Sequence, residues 1–226
     1  MFQAILFDFD GTLVDFVAAD IQSLKWLHSR AGSTVAFDDF LETAVAEIMR
    51  FHDLVAQNEI DPLLMHPFRL RNSFARHKIT WHDDYLALYR SKLLELCIPF
   101  AGVENLLIAV KRKTKTGLIT NAYDAAEQKE RIKSSGLDIY FDTIVIAGEI
   151  GIYKPDPAIF LHALAHMDAQ PDKSLYVGDS ITHDVIGAKS AGMKTVLLSK
   201  TPKRGSGIAD YVVSGISELQ RLLGVS

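Results

Sequence analysis

The chain has 226 residues, 48% of them hydrophobic and 23% charged, with a formal net charge of −4. That length can bury a full core and suits one domain, or one domain carrying a smaller insert. The acid-leaning balance offers no basic footprint for a nucleic-acid polymer or an anionic membrane, and no apolar run approaches the ~20 residues that span a bilayer.

The first residues, Met-Phe-Gln-Ala-Ile, lack the basic segment of a secretory signal and run straight into a strand pattern. Cys97 has no cysteine partner in the chain, so a reducing cytoplasm is expected and the thiol reads as a small buried hydrophobe. Residues 5–13 read Ile-Leu-Phe-Asp-Phe-Asp-Gly-Thr-Leu. Ile5, Leu6 and Phe7 predict a buried strand over about 3–8, and Gly11 and Thr12 end it. Strand alternation places Asp8 and Asp10 on one side at the strand's carboxyl end, where open parallel sheets bind ligands. Carboxylates that close repel unless a cation or a shared proton lies between them. A divalent metal, an acid/base pair, or two solvated carboxylates capping a turn all satisfy this segment.

Residues 16–98 hold no convincing strand and read as four amphipathic helical stretches. The first carries Ile21, Leu24, Trp26 and Leu27 and stops near Gly32. The second starts around Asp38 and carries Phe40, Leu41, Val45, Ile48 and Leu54. Pro62 opens the third, which Pro67 is expected to kink, and Thr80 is placed to cap the fourth. The pattern predicts a small helical bundle.

From residue 100 onward short apolar strands alternate with helical patterns. Strands are expected at 115–120, 143–147, 174–178, 195–198 and, more weakly patterned, 210–213. Helices are expected near 103–113, 124–135, 157–168, 183–191 and 216–223. This alternation predicts a parallel sheet covered on both faces. The first strand has no partner before residue 115, so the helical block reads as an insertion in a doubly wound α/β domain. The expected division is a core of 1–15 and 99–226 and a helical insert of 16–98.

The later strand ends carry polar residues too. Thr120 and Asn121 offer a hydroxyl and an amide to an anion, or else cap the next helix. Lys154 lies in Gly-Ile-Tyr-Lys-Pro-Asp-Pro, where two prolines stiffen the loop around a cation suited to phosphate. In Tyr-Val-Gly-Asp-Ser-Ile-Thr-His-Asp, Asp179 follows the strand and Asp184 opens a helix. Asp8, Asp10, Asp179 and Asp184 on one sheet edge would need a hard cation with oxygen ligands, for which Mg²⁺ is the usual choice. His183 is assigned to packing or solvent.

Asp-x-Asp-Gly-Thr (8–12), Thr-Asn (120–121), Lys-Pro (154–155) and Gly-Asp-x-x-x-x-Asp (178–184), in this order, resemble the haloacid dehalogenase superfamily. The match covers 3–15 and about 99–200 and implies a Rossmann-like core with a helical cap inserted after the first strand, as in subfamily I. It implies Asp8 as nucleophile, forming an aspartyl phosphate, and Asp10 as general acid/base. It implies Mg²⁺ held by the Asp8 carboxylate, the Asp10 carbonyl and Asp179, with Asp184 acting through water. It assigns the phosphoryl oxygens to Thr120, Asn121, Lys154 and the backbone following Asp8, including Gly11 and Thr12. Dehalogenases of the superfamily attack carbon and lack an acid at the position of Asp10, so phosphate-ester hydrolysis is expected. A phosphomutase on the same core is the alternative class, and a non-catalytic binding protein a third.

The core from Gly102 to Ser199 looks most like the branch containing pyrimidine-nucleotide 5′-phosphatases, with phosphoglycolate phosphatases as close neighbours. A nucleoside 5′-monophosphate is therefore ranked first as substrate and a small phosphorylated acid or sugar second, with a small-molecule ester as the partner and a monomer or homodimer as the assembly. Arg50, Arg69, Arg71 and His66 could meet an anionic leaving group but read as solvated helix faces. Phe16, Trp26 and Tyr123 could stack on a base or simply pack.

Overall fold

The computed structural model describes residues 2–201 and 207–225; residues 1, 202–206 and 226 of the expected core span lie outside the described residues. The chain divides into two compact units, Met1–Phe16 with Ile98–Ser226, and Val17–Cys97.

In the first unit, β1 (Ala4–Phe7) is followed after the helical unit by α5 (Val103–Lys111), β2 (Lys115–Thr120), α6 (Ala125–Ser134) and β3 (Thr143–Ile146). Then come α7 (Ala147–Ile150), α8 (Pro157–His166), β4 (Ser174–Gly178), α9 (Gly187–Ser190), β5 (Lys194–Leu198), β6 (Tyr211–Val213) and α10 (Ile216–Leu223). The sheet order is β3-β2-β1-β4-β5-β6 with every pair parallel. This is a doubly wound α/β sheet, and β1 lies at its centre, where the strand order reverses and a crevice opens at the carboxyl ends. β1 and β4 are buried at every residue because helices cover both faces, which is why they read as continuous apolar runs rather than alternating ones. Ala4, Leu6, Ile119 and Tyr176 face a cluster with Phe160 and Leu164 of α8 and Ala188 of α9. By alternation Ile5 and Phe7 face the opposite side, where Phe7 meets Phe141 with ring centroids 6.4 Å apart.

Two boundaries differ from expectation. β1 ends at Phe7, one residue short of Asp8, although Asp8 N–H still donates to the Val177 carbonyl at 2.9 Å. The helix expected at 183–191 begins earlier, as a π-helical turn over Ile181–Ile186 that continues into α9. Ser180 caps it by accepting the His183 N–H, and such wide turns recur at functional sites.

The helical unit contains α1 (Phe16–Arg30, whose first residue belongs to the α/β unit), α2 (Phe37–Ala56), a 3₁₀ turn at Pro62–Leu64, α3 (Met65–Arg76) and α4 (Tyr85–Glu95). Its core is aromatic: Phe74 meets Phe40, Trp81 and Tyr85 with centroids 5.4–5.5 Å apart. Pro67 does not kink a helix. It occupies the first turn of α3, where a missing N–H removes no helical bond. Thr80 does not cap α4, which starts at Tyr85 after Asp84. Arg69 and His66 are buried rather than solvated, whereas the Arg50 and Arg71 side chains are exposed. The Arg69 guanidinium donates to both Asp20 oxygens at 2.8 Å and to the Ala44 carbonyl at 3.2 Å, and Tyr89 hydroxyl donates to Asp20 at 2.5 Å. Trp26 lies beneath Arg30 and Lys92 of the same unit, 5.7 and 5.9 Å from its ring centroid. Cys97 is buried.

Candidate active site

The turn after β1 sets the first carboxylate. Leu13 and Val14 N–H groups both donate to the Phe9 carbonyl, and Gly11 N–H donates to Val14. Gly11 sits at φ +85°, and a Cβ there would collide with the Asp179 carboxylate, so the position demands glycine on two counts. The folded-back turn lets Thr12 hydroxyl donate to Asp8 Oδ2 at 3.0 Å.

Lys154 Nζ reaches the same carboxylate from the loop before α8, at 2.7 Å from Asp8 Oδ1. It also donates to Asp184 Oδ1 at 2.7 Å, the Ile119 carbonyl at 3.2 Å and Tyr176 hydroxyl at 3.1 Å. Asn121 holds this lysine by its backbone: its amide nitrogen donates to the Lys154 carbonyl at 3.0 Å, and Lys154 N–H donates to its amide oxygen at 2.9 Å. The Lys154–Pro155 peptide is cis.

At the end of β4 the π-helical turn curls Asp184 back, so that it accepts the Ser180 N–H at 2.9 Å. Gly178 leaves room for it, since a Cβ there would overlap the Asp184 carboxylate. Oxygens of Asp8, Asp179 and Asp184 lie within 4.8 Å of one another. Burial pushes Asp8 from an ordinary 3.8 up to about 8, with Asp184 and Asp179 adding to the rise and Lys154 pulling against it. Asp179 is exposed as a residue, yet desolvation of its carboxyl group, reinforced by Asp184, pushes it up to about 6. Burial opposes the charge on Lys154, but Asp8, Tyr176 and Asp184 outweigh it and hold the ammonium protonated well above its ordinary range. Tyr176 hydroxyl is likewise driven up by burial and stays neutral.

The raised pKa values of Asp8 and Asp179 reflect burial together with a shortage of positive charge: with all three carboxylates ionised around one ammonium, two negative charges would be uncompensated. A divalent cation fills that deficit, and an all-oxygen donor set suits a hard ion such as Mg²⁺. The residues present therefore fit the metal.

Asp10 lies near enough to Asp179 to add to its rise, but a different element holds it. Strand alternation would have set it beside Asp8, but the turn begins first and the carboxylate is gripped by α6. Arg131 donates to both Asp10 oxygens, Nη1 to Oδ2 at 3.0 Å, and Gln128 Nε2 donates to Oδ2 at 3.1 Å. Gln128 also donates to Thr120 Oγ1 at 2.9 Å and accepts from Arg131 at 2.7 Å. The two carboxylates that open the sequence thus have separate cations, and only Asp8 belongs to the crowded acid cluster.

Gln128, Arg131 and Tyr176 carry no sequence expectation. In Ala-Ala-Glu-Gln-Lys-Glu-Arg-Ile-Lys-Ser the charges read as a solvated helix. The available signal is spacing: residues 128 and 131 share a face with Ile132 in the helix leaving Thr120–Asn121, which must pass over the site. Tyr176 is buried in the core cluster beneath the site. His183 is exposed, 3.2 Å from Ser180 Oγ. Tyr123 packs on Tyr153 with centroids 5.7 Å apart.

Residues 5–198 match the model of the haloacid dehalogenase-like hydrolases, and the chain belongs to that family. It is 38% identical over 135 residues to pyrimidine 5′-nucleotidase YjjG of Escherichia coli, a stretch covering 58% of this chain and 59% of that protein. With N-acylneuraminate-9-phosphatase of Mus musculus it shares 27% identity over 240 residues, covering 98% of this chain and 93% of the relative. Its fold is that of the HAD-type hydrolase YfnB of Bacillus subtilis, a protein crystallised with magnesium, at TM-score 0.81, 21% identity and 99% coverage of both chains. No helix among the described residues is long and apolar enough to cross a membrane.

Proposed function

We propose that this chain is a Mg²⁺-dependent phosphomonoester hydrolase that works through an aspartyl phosphate on Asp8. The observation that carries the reading is the charge deficit at Asp8, Asp179 and Asp184 around a single buried ammonium. An anionic carboxylate attacks an anionic phosphate only where positive charge offsets the repulsion. Asp8, Asp179 and Asp184, with the Asp10 carbonyl, would hold the metal, which when bound supplies that positive charge.

The remaining chemistry belongs to the chain. Thr12 and Lys154 orient the Asp8 carboxylate. An Asp8 oxygen bonds to phosphorus as the ester P–O bond breaks, and Asp10 gives its proton to the departing oxygen. Asp10 then takes a proton from water, the water oxygen bonds to phosphorus, and inorganic phosphate leaves with Asp8 restored. Lys154 meets the phosphoryl oxygens, and the Thr120 hydroxyl, tied to Gln128, lies at the end of β2. The helical unit serves as the cap that selects the leaving group.

For the substrate, a nucleoside 5′-monophosphate is the first choice. Its support is the 38% identity with a pyrimidine 5′-nucleotidase, over 59% of that protein. A phosphate-release screen with Mg²⁺ over nucleotides, sugar phosphates and phosphoglycolate tests both levels. Release from an ester by the wild type, abolished in Asp8→Asn and strongly reduced in Asp10→Asn, is expected. No release from any ester overturns the reaction, and preference for phosphoglycolate over every nucleotide overturns the substrate.

A further inference from the structure

The grip of α6 on Asp10 is more elaborate than a surface ion pair. Arg131 is only 4% exposed and Gln128 only 3%, although both lie on a helix whose Lys129, Glu130 and Lys133 are exposed. The guanidinium lies against two rings, 4.4 Å from the centroid of Phe16 and 5.6 Å from that of Phe9. Those rings restrict where it can point, and it makes two-point contact with Asp10 while also donating to Gln128. Gln128 in turn joins Asp10 to Thr120, so a carboxylate on a turn is tied to the end of β2. The Asp10 side chain is 24% exposed, so nothing about burial demands a partner of this kind.

We propose that Arg131, backed by Gln128, is a positioning residue that fixes the plane and direction of the Asp10 carboxyl group for proton transfer to the leaving oxygen. The inference rests on the hydrolase reading above. In this role Arg131 acts through Asp10, whose two oxygens it holds, and not on the phosphate or the leaving group. An angstrom of misplacement in a proton donor costs on the order of a hundredfold, and the cost falls only on steps that need the donor. An alkyl ester needs its leaving oxygen protonated as the P–O bond breaks. A p-nitrophenyl ester, whose leaving group is already stable as an anion, does not.

The test measures kcat/KM, which reports aspartyl-phosphate formation, for the best alkyl ester of the screen and for p-nitrophenyl phosphate. In Arg131→Met the alkyl ester is expected to lose about 10- to 100-fold and p-nitrophenyl phosphate less than about threefold, with alkyl-ester KM nearly unchanged. Arg131→Lys, which keeps the charge but not the two-point contact, is expected to recover part of the loss. Gln128→Met removes one contact without leaving a lone charge, and is expected to show the same split at about 2- to 10-fold; it stands in if Arg131→Met does not fold. Equal losses on both esters, or none on either, overturn the proposal. Asp10→Asn separates the two levels. If it shows the leaving-group split and the Arg131 and Gln128 variants do not, the positioning role fails and the acid assignment stands. If Asp10→Asn shows no split, the acid assignment itself fails.

Discussion

Lys154 in the α/β unit and Arg69 in the helical unit are both almost wholly buried, at 4% and 2% exposure, yet they keep different company. Arg69 has one carboxylate, Asp20, with Tyr89 and a backbone carbonyl completing the set. Its charge is matched and the cluster is closed. Lys154 lies between two carboxylates with a third close by, so the cluster, once fully ionised, is short of positive charge by two. A matched buried pair spends its interactions on holding helices together. A mismatched one leaves interactions unmet, and those are open to a ligand.

The largest effect should come from the mismatched cluster. Asp8→Asn is expected to cut turnover of any accepted ester by at least about a thousandfold. Its metal-free thermal midpoint should hold or rise, because an amide relieves the crowding; a marked fall would show that the cluster serves stability after all. Arg69→Met should behave in the opposite manner. Leaving Asp20 unpaired is expected to cost about 3–5 kcal/mol in denaturant unfolding, and the double change Asp20→Leu with Arg69→Met should recover most of it. No recovery would mean that the pair does more than balance charge.

Smaller effects sharpen the contrast. Asp8 and Asp179 sit at about 8 and about 6 when folded, above their ordinary 3.8. The folded state therefore holds protons that the unfolded state has lost, and metal-free stability should fall as pH rises from about 4 through 8. Mg²⁺ needs those groups ionised. At a hundred times its dissociation constant, where binding contributes about 2.7 kcal/mol, it should raise Tm by about 5–10 °C at pH 8. The rise should be smaller at pH 5.5 and lost in Asp179→Asn; an equal rise in that variant would remove the metal from this site. Smallest is Asp210, which ties β6 to β5 by accepting from Lys194, Thr195 N–H and Thr195 hydroxyl at 2.9–3.0 Å. Burial would raise its pKa, but these donors outweigh it and lower it. Asp210→Asn should reduce Tm by about 2 °C at pH 7; the difference should start to shrink as pH falls below the ordinary carboxylate value and vanish only below the lower folded one, where the wild-type carboxylate loses its charge.

The strand pattern and the strand-end residues were legible because periodicity and punctuation are local. Val-Gly-Asp ends a buried run whatever surrounds it, and two prolines mark the Lys154 loop. Buried charge was not legible. Arg69 and Arg131 each lie on a helix rich in polar residues, and only the three-dimensional partner, 49 or 121 residues away, decides that they point inward. Asp10 was placed beside Asp8 by strand alternation, but β1 stops at Phe7 and the turn sends it to α6. Pro67 was read as a break because its distance from the helix start could not be known within a few residues.

The Asn121 amide faces the Lys154 peptide as a neighbouring strand would, taking its N–H and supplying a donor for its C=O. One side chain thus does the work of a two-bond ladder. The loops on either side of Lys154 can then change length and composition while the ammonium stays in register with Asp8. Such a rivet fixes the place of the charge without relying on the side chains of the loop that carries it. Asn121 should accordingly tolerate less change than the residues around it.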